Sequence, residues 1–348
     1  MKTIYVNGRF LCHTMTGINR FAYELCKALS KLFDFTIIAP KGCILSEYDT
    51  RGLTIVEYGN LKSHLWEQIS LPIFLLTKRN YILLNFSGLG PIFCSSKIST
   101  IHDVSFLHNP DWFSKGYYLF YKMLTPIIIR TSWAILTVSE FSKKEILKYY
   151  RVKPEKIHVV YNAVTEALDN NVHDNQKEKY ILTVGSLDPR KNFKTLIGAF
   201  SDERLRQIEL RIVGGSNKIF GELGYEVHNF PNIKFFGRIS DEELKKQYRN
   251  AHLFILASLY EGFGIPPLEA LSNGCPIALS DIPVFHEVFE SAATYFNPND
   301  KDDIINTILQ SYNNLVVTSA NSKNQILNKY SWNESAKKIK LIIKALRD

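Results

Sequence analysis

The sequence predicts an α/β protein built from two doubly wound, parallel-sheet domains, and three observations lead there. Short apolar runs bounded by glycine, proline or polar turns alternate with amphipathic helical stretches, the pattern of strand–helix–strand units. That pattern runs twice, once before about residue 165 and once after it. With 348 residues, 45% of them hydrophobic, the chain can bury two sizeable cores.

In the first half, Ile4-Tyr-Val reads as a strand and is followed by a loop through Thr16-Gly-Ile-Asn-Arg20. A helix with apolar residues at helical spacing follows over Phe21–Leu29. Further strands are expected at Phe35–Ala39, Tyr81–Leu84, Lys97–His102 and Ala134–Val138, with a long aromatic helix from about Lys115 to Thr131. The second half repeats the plan. Its strands are Tyr180–Val184, Leu210–Val213, Ile233–Phe236, Leu253–Leu256, Pro276–Leu279 and Thr294–Phe296. Ser240-Asp-Glu-Glu243 reads as a capping box. The polar stretch Glu166–Glu178 is the best linker, which divides the chain into domains at 1–165 and 166–331, with a last helix from Trp332.

Charge is uneven. Residues 1–160 hold 20 Lys and Arg against 11 Asp and Glu, and residues 161–348 hold 22 against 23. A basic half beside a neutral one fits either an anionic partner for the first domain or scattered solubilising lysines. The five cysteines, 12, 26, 43, 94 and 275, are odd in number and form no Cys-x-x-Cys pair. They are expected to be reduced thiols of a cytosolic protein, without a disulfide frame or zinc site. Met1-Lys-Thr-Ile-Tyr-Val-Asn7 is expected to be a first strand and no signal peptide. No run reaches the roughly 18 apolar residues that cross a bilayer.

The most informative segment is Glu261-Gly-Phe-Gly-Ile-Pro-Pro-Leu-Glu269, after the apolar run Leu253–Ala257. Gly262 and Gly264, around Phe263, allow close backbone approach, and Pro266 and Pro267 suit a first helical turn. A strand, a glycine turn and a helix N-terminus form an anion site. Glu261 and Glu269 bracket it and suit hydroxyl groups of a ribose or hexose. An anion flanked by hydroxyls describes a sugar nucleotide.

With Gly274-Cys-Pro-Ile and Pro283-Val-Phe-His-Glu287-Val, this segment resembles the signature of glycosyltransferase family 4. The resemblance implies a retaining, nucleotide-sugar-dependent enzyme of the two-domain GT-B fold, with donor and acceptor on opposite walls of a cleft. It also implies that the helix over about 332–348 returns to complete the first domain.

Residue by residue, the resemblance places a donor diphosphate at the loop Gly185-Ser-Leu-Asp-Pro-Arg190-Lys191-Asn192. Lys191 matches the family's lysine; Ser186 stands where many members carry an arginine, and Arg190 is expected to take over. Two cations there neutralise charge growing on a leaving diphosphate. Arg238 lies near the family's base-reading position. In the first domain, Gly17 matches a glycine that approaches the diphosphate, and His102 matches a sugar-contacting histidine. Ser139-Glu140-Phe-Ser142 resembles a Val-Ser-x-x-Ser element, although Ser139 also suits a helix cap. Glu269 is expected to hold the ribose.

Other parts of the chain complete the expectation. Asp300-Lys-Asp302-Asp303 has the letters of a metal-binding Asp-x-Asp, but it precedes an amphipathic helix and reads as acidic residues on the helix dipole; no metal or cofactor is expected. Lys115, Lys122 and Arg130 flank aromatics in a segment suited to the headgroup region of an anionic membrane. The expected activity is transfer of a hexose, GDP-mannose being the first-choice donor, to a growing lipid-linked glycan of a bacterial surface polysaccharide. The placement expected for it is cytoplasmic and peripheral at the inner membrane face, with no nucleic-acid partner. The alternatives are a GT-B epimerase and a non-catalytic glycan-binding or scaffolding relative.

Overall fold

The structure, a computed structural model, describes residues 2–94, 96–164, 178–215, 230–313 and 320–346. It divides into two compact units, Met1–Asn162 with Tyr330–Asp348, and Ala163–Lys329. The expected linker falls outside the described residues except for Glu178, which already opens a strand.

The first unit is a seven-stranded sheet in the order β3-β2-β1-β4-β5-β6-β7. Its strands are β1 Thr3–Asn7, β2 Thr36–Ala39, β3 Ile55–Glu57, β4 Tyr81–Asn85, β5 Lys97–Thr100, β6 Ala134–Thr137 and β7 Ile157–Val159. Every neighbouring pair is parallel. Central strands are buried on both faces and therefore read as continuous apolar runs. The edge strands β3 and β7 escaped the sequence reading because each has three residues; β3 is partly or fully exposed along its length. Strand β5 ends at Thr100 rather than at the expected His102.

The second unit is a six-stranded parallel sheet in the order β10-β9-β8-β11-β12-β13. These strands are β8 Glu178–Val184, β9 Glu209–Val213, β10 Ile233–Gly237, β11 Ala251–Leu256, β12 Ile277–Ser280 and β13 Ala293–Phe296. Ile181, Leu210 and Ile255 pack against Phe193, Leu196 and Phe200 of one helix and Ile304 and Ile308 of another.

In each sheet the chain winds outward one way, then returns to the centre and winds the other way. The reversal lies between β1 and β4 in the first unit and between β8 and β11 in the second. Loops leaving the C-terminal ends of such neighbours part in opposite directions, which is where ligands bind in open parallel sheets.

Helix ends follow the sequence signals. Ser240 Oγ accepts from Glu243 N at 3.2 Å, and Ser139 Oγ accepts from Ser142 N at 2.9 Å. The helix Lys115–Thr131 starts on Ser114, whose Oγ accepts from Tyr117 N. In the first unit the helix Trp332–Ala345 packs on the helix Gly17–Leu29, with the Trp332 and Phe21 rings 5.9 Å apart. Ser335 Oγ donates to Tyr161 O, holding that helix to the end of the first pass. No helix among the described residues is long and apolar enough to cross a membrane.

The cysteine expectation is corrected at one pair. Cys12 and Cys43 form a disulfide with Cα atoms 4.9 Å apart, while Cys26, Cys94 and Cys275 are buried thiols outside any disulfide. Sequence spacing hid the pair because β1 and β2 are adjacent parallel strands, so the loops leaving them meet.

Candidate active site

Strands β8 and β11 lie side by side at the centre of the second sheet. After β8, Gly185 N donates to Val213 O, and Gly214 N donates to Gly237 O at 2.7 Å, extending the ladder one step beyond the strands. Gly214 holds φ +101°, and a Cβ there would stand 2.4 Å from Gly185 O. Gly185 itself is less crowded: the atoms nearest a Cβ there, on Phe193 and Lys191, lie at ordinary contact distance. The close approach along this edge therefore belongs to Gly214, which the sequence reading passed over.

Asp188 then starts a tight turn over Pro189–Lys191, its carboxylate accepting from Arg190 N and from Arg190 Nε at 2.9 Å. Asn192 closes the turn in the left-handed region (φ 56°) and donates from Nδ2 to Pro298 O. The turn aims Lys191 inward; it is only 8% exposed.

The loop after β11 comes to meet it. Leu259 N donates to Arg190 O at 2.8 Å, tying the two loops by their backbones. Glu261, 6% exposed, lies beside both cations. Lys191 Nζ donates to Glu261 Oε1 at 2.5 Å, Ser258 Oγ donates to the same oxygen at 2.8 Å, and Arg190 Nη1 stands 3.7 Å from Oε2. Burial works to raise the Glu261 carboxyl, but Lys191, Arg190 and the hydrogen bonds from Lys191 and Ser258 outweigh it and hold the group below its ordinary 4.5. Sequence reasoning placed the cations on a diphosphate and Glu261 separately on a sugar. In the structure they form one cluster with Asp188, two cations against two carboxylates. An anion reaching these cations would have to displace Glu261 rather than meet unopposed positive charge.

Beyond Glu261, the turn Gly262-Phe263-Gly264 is buried throughout and leads into the helix Ile265–Ser272. Gly264 has φ +108°, and a Cβ would lie 2.9 Å from the Phe285 ring. Pro266 and Pro267 lack N–H groups, so the amide donors at this helix start are those of Ile265 and the turn before it. Glu269 is half-buried on the helix, and its Oε2 accepts from Tyr248 Oη at 3.1 Å. Tyr248, on the helix Asp241–Asn250, had no motif to announce it. Arg238 is exposed just past β10, the edge strand farthest from β11.

In the first unit, His102 lies two residues past β5. Its Nε2 is 2.9 Å from Phe86 O, and a carbonyl only accepts, so Nε2 carries the proton. In the neutral ring Nδ1 is then an acceptor. Burial lowers the His102 pKa, against smaller upward effects of the Phe86 carbonyl and Asp103. Asp103 itself caps the following turn through Ser105. Gly17 is the exposed first residue of the helix Gly17–Leu29. At the β1/β4 reversal, Asn7 Nδ2 donates to Glu67 Oε1 at 2.7 Å, and Arg9 Nε lies 3.2 Å from that oxygen. Gly88 makes room for this guanidinium, since a Cβ would stand 2.4 Å from it.

The Asp300 cluster serves its own helix. Asp300 Oδ1 accepts from Asp302 N and Asp303 N, Asp303 Oδ2 accepts from Asn297 N, and Asp302 pairs with Arg204.

Two doubly wound units, the second carrying paired cations and carboxylates at its sheet reversal, define a protein of GT-B fold. Residues 164–332 match the sequence profile of glycosyl transferases group 1 and residues 15–168 that of glycosyltransferase family 4; the chain belongs to this glycosyltransferase family. It is 29% identical to the O-antigen chain mannosyltransferase RfbU of Salmonella typhimurium over 316 residues, covering 85% of this chain and 87% of that protein. It is also 29% identical to O-antigen chain mannosyltransferase B of Escherichia coli, over 62% of this chain and 60% of that one. Sucrose-phosphate synthase from Thermosynechococcus elongatus shares the fold over 99% of both chains, with TM-score 0.76 at 17% identity. WaaG, a glycosyltransferase of lipopolysaccharide biosynthesis, superposes with TM-score 0.71 at 13% identity, over 97% of this chain and 98% of that one.

Proposed function

We propose that this glycosyltransferase moves mannose, from GDP-mannose, onto a growing lipid-linked glycan of O-antigen type, with retention of the anomeric configuration. The observation that carries the reading is the Lys191–Glu261–Arg190 cluster at the β8/β11 reversal, with Glu269 one turn into the helix that follows. The resemblance to two O-antigen mannosyltransferases supports the sugar and the acceptor class.

In this reading the diphosphate engages Arg190, Lys191 and the amides of the Gly262–Gly264 turn, and Glu269 accepts from the ribose. Glu261, released from Lys191, accepts from hexose hydroxyls, and His102 offers Nδ1 to the sugar. Displacement takes place on one face: the bond from the anomeric carbon to the diphosphate breaks, the acceptor oxygen bonds to that carbon, and the acceptor proton passes to the leaving diphosphate. The cations stabilise charge as it develops on that leaving group. Gly17 and Arg238 remain proposed contacts to the diphosphate and base.

For a lipid-linked acceptor, the helix Lys115–Thr131 meets the anionic membrane surface through Lys115, Lys122 and Arg130, at the inner face of the cell membrane.

A thermal-shift panel of GDP, UDP, dTDP and ADP tests the donor, because a preferred nucleotide raises the melting temperature by mass action. GDP is expected to give the largest shift. GDP release from GDP-mannose, accelerated by a lipid-linked glycan fraction, completes the test. A larger shift with UDP overturns the donor, and no GDP release with any acceptor overturns the activity.

A further inference from the structure

The membrane contact proposed for Lys115–Thr131 leaves a second element unused. A continuous helix runs over residues 63–76, through the segments Ser63–Leu65, Trp66–Ser70 (a π-turn) and Leu71–Leu76. One face is buried: Trp66, Leu71, Phe74 and Leu75 pack beneath it with Ile38 and Leu83 of the sheet. The other face shows Leu65 (62% exposed), Ile69, Ile73 and Leu76 (85%) to solvent. Their spacing of four, four and three residues makes one stripe. The helix Lys115–Thr131 is built the same way, with Ile128 and Ile129 inside and Leu119, Phe120, Met123 (67%) and Ile127 exposed. The two helices touch, the His64 ring lying 5.2 Å from that of Phe120. Eight large apolar side chains on adjoining helices exceed the scatter of single exposed residues that a soluble surface carries.

The charges flanking the two helices are mostly basic, with the exposed Asp111 ahead of Lys115 as an exception. Lys62, Arg79, Lys115, Lys122 and Arg130 are exposed. The acid within these helices, Glu67, is fully buried against Asn7 and Arg9. A second copy docked through the same face by two-fold symmetry would set this basic rim against itself. An anionic leaflet matches both the apolar centre and the basic rim. At 14 and 17 residues the helices are too short to cross a bilayer and suit a position lying in its interface.

We propose that the 63–76 helix is the second half of a membrane-docking face. Leu65, Ile69, Ile73 and Leu76 enter the boundary between headgroups and acyl chains beside Leu119, Met123 and Ile127, while the basic rim stays at phosphate level. The proposal rests on, and enlarges, the contact made by Lys115–Thr131. It changes the expected salt response: charge alone is screened near molar salt, whereas inserted apolar side chains are not released by salt.

The test uses the full chain with vesicles of phosphatidylcholine alone or with phosphatidylglycerol, sedimented at low salt and at about 1 M NaCl. The parent protein is expected to bind anionic vesicles at low salt and to keep a bound fraction at high salt. Ile69→Ser with Ile73→Ser, both at exposed positions, is expected to lose the salt-resistant fraction and to partition about tenfold more weakly. Lys115→Glu with Lys122→Glu is expected to lose the low-salt enhancement. An Ile73→Trp variant reports insertion directly through quenching by brominated acyl chains. Unchanged binding of the isoleucine variant and no quenching overturn the second helix; loss in the lysine variant then leaves the first contact standing. Absence of parent binding to any vesicle overturns both. A concentration-dependent dimer without lipid, abolished by the isoleucine substitutions, assigns the face to a second copy and overturns the membrane proposal.

Discussion

Lys191 Nζ donates to Glu261 Oε1 at 2.5 Å, so residues 70 positions apart join the loops that leave β8 and β11. The contact joins the two sides of the second sheet's reversal. It also sets the protonation of the carboxylate, since the cation holds Glu261 ionised despite its burial.

Removing the cation should cost turnover, and it also leaves the buried Glu261 carboxylate to Arg190 and Ser258 alone. Lys191→Ala is expected to lower the rate of donor consumption by two to three orders of magnitude, about 3–4 kcal/mol for one lost electrostatic partner of the transition state. Nucleotide release under saturating donor measures it, and a variant with parental turnover refutes the assignment.

Tyr248 acts on the proposed ribose contact at one remove, through its hydrogen bond to Glu269. Tyr248→Phe deletes one hydrogen bond worth about 1 kcal/mol, so nucleotide affinity should fall roughly five- to tenfold with turnover at saturation preserved. Glu269→Ala should weaken binding further. Calorimetric titration with GDP reads both, and an unchanged Tyr248→Phe affinity removes Tyr248 from the site.

Gly264 combines a left-handed backbone with a blocked Cβ position. Gly264→Ala is expected to cost on the order of 1–3 kcal/mol for the backbone alone, more with the clash against Phe285. Gly116→Ala is the control, because a Cβ there meets nothing and the residue sits in a helix; stability should hold or rise slightly. Equal melting temperatures for the two variants would contradict the geometry.

Acidification should destabilise the protein in two steps. His102 has a folded pKa below its ordinary 6.5, so the unfolded chain binds its proton first. Its contribution is present above pH 6.5 and lost as pH falls through the folded value. Glu261, held below 4.5, follows the same sign lower down. Melting temperature should decline below about pH 6.5, and His102→Gln should flatten the upper part of that decline. His13 and His158, also lowered mainly by burial, keep part of it. A profile rising toward acid would reverse the assignment.

If, as proposed, the diphosphate is held by Arg190, Lys191 and backbone amides, transfer should persist in excess EDTA. Activity lost on chelation and restored by magnesium or manganese would place a metal in the reaction and reopen the roles of Asp300 and Asp302.

Much of the architecture was legible in the chain because buried parallel strands are apolar on both faces. β4, β8 and β11 announce themselves as Tyr81–Leu84, Tyr180–Val184 and Leu253–Leu256, within two residues of their ends. Helix starts were legible where a side chain closes a local ring, as at Ser240 and Ser139. The Glu261–Glu269 segment was legible too, because its glycines and prolines act within a single turn. Tertiary structure decided whatever depends on strand order. Adjacent β1 and β2 bring Cys12 to Cys43, and the β8/β11 reversal turns Lys191 onto Glu261 rather than leaving each to its own ligand group. Tyr248 reaches Glu269 only because two helices pack together, and the 63–76 stripe counts as exposed only once its opposite face is seen to be full. Local rules act over a few residues, whereas these contacts span 21 to 70 positions and are set by which strands the backbone places side by side.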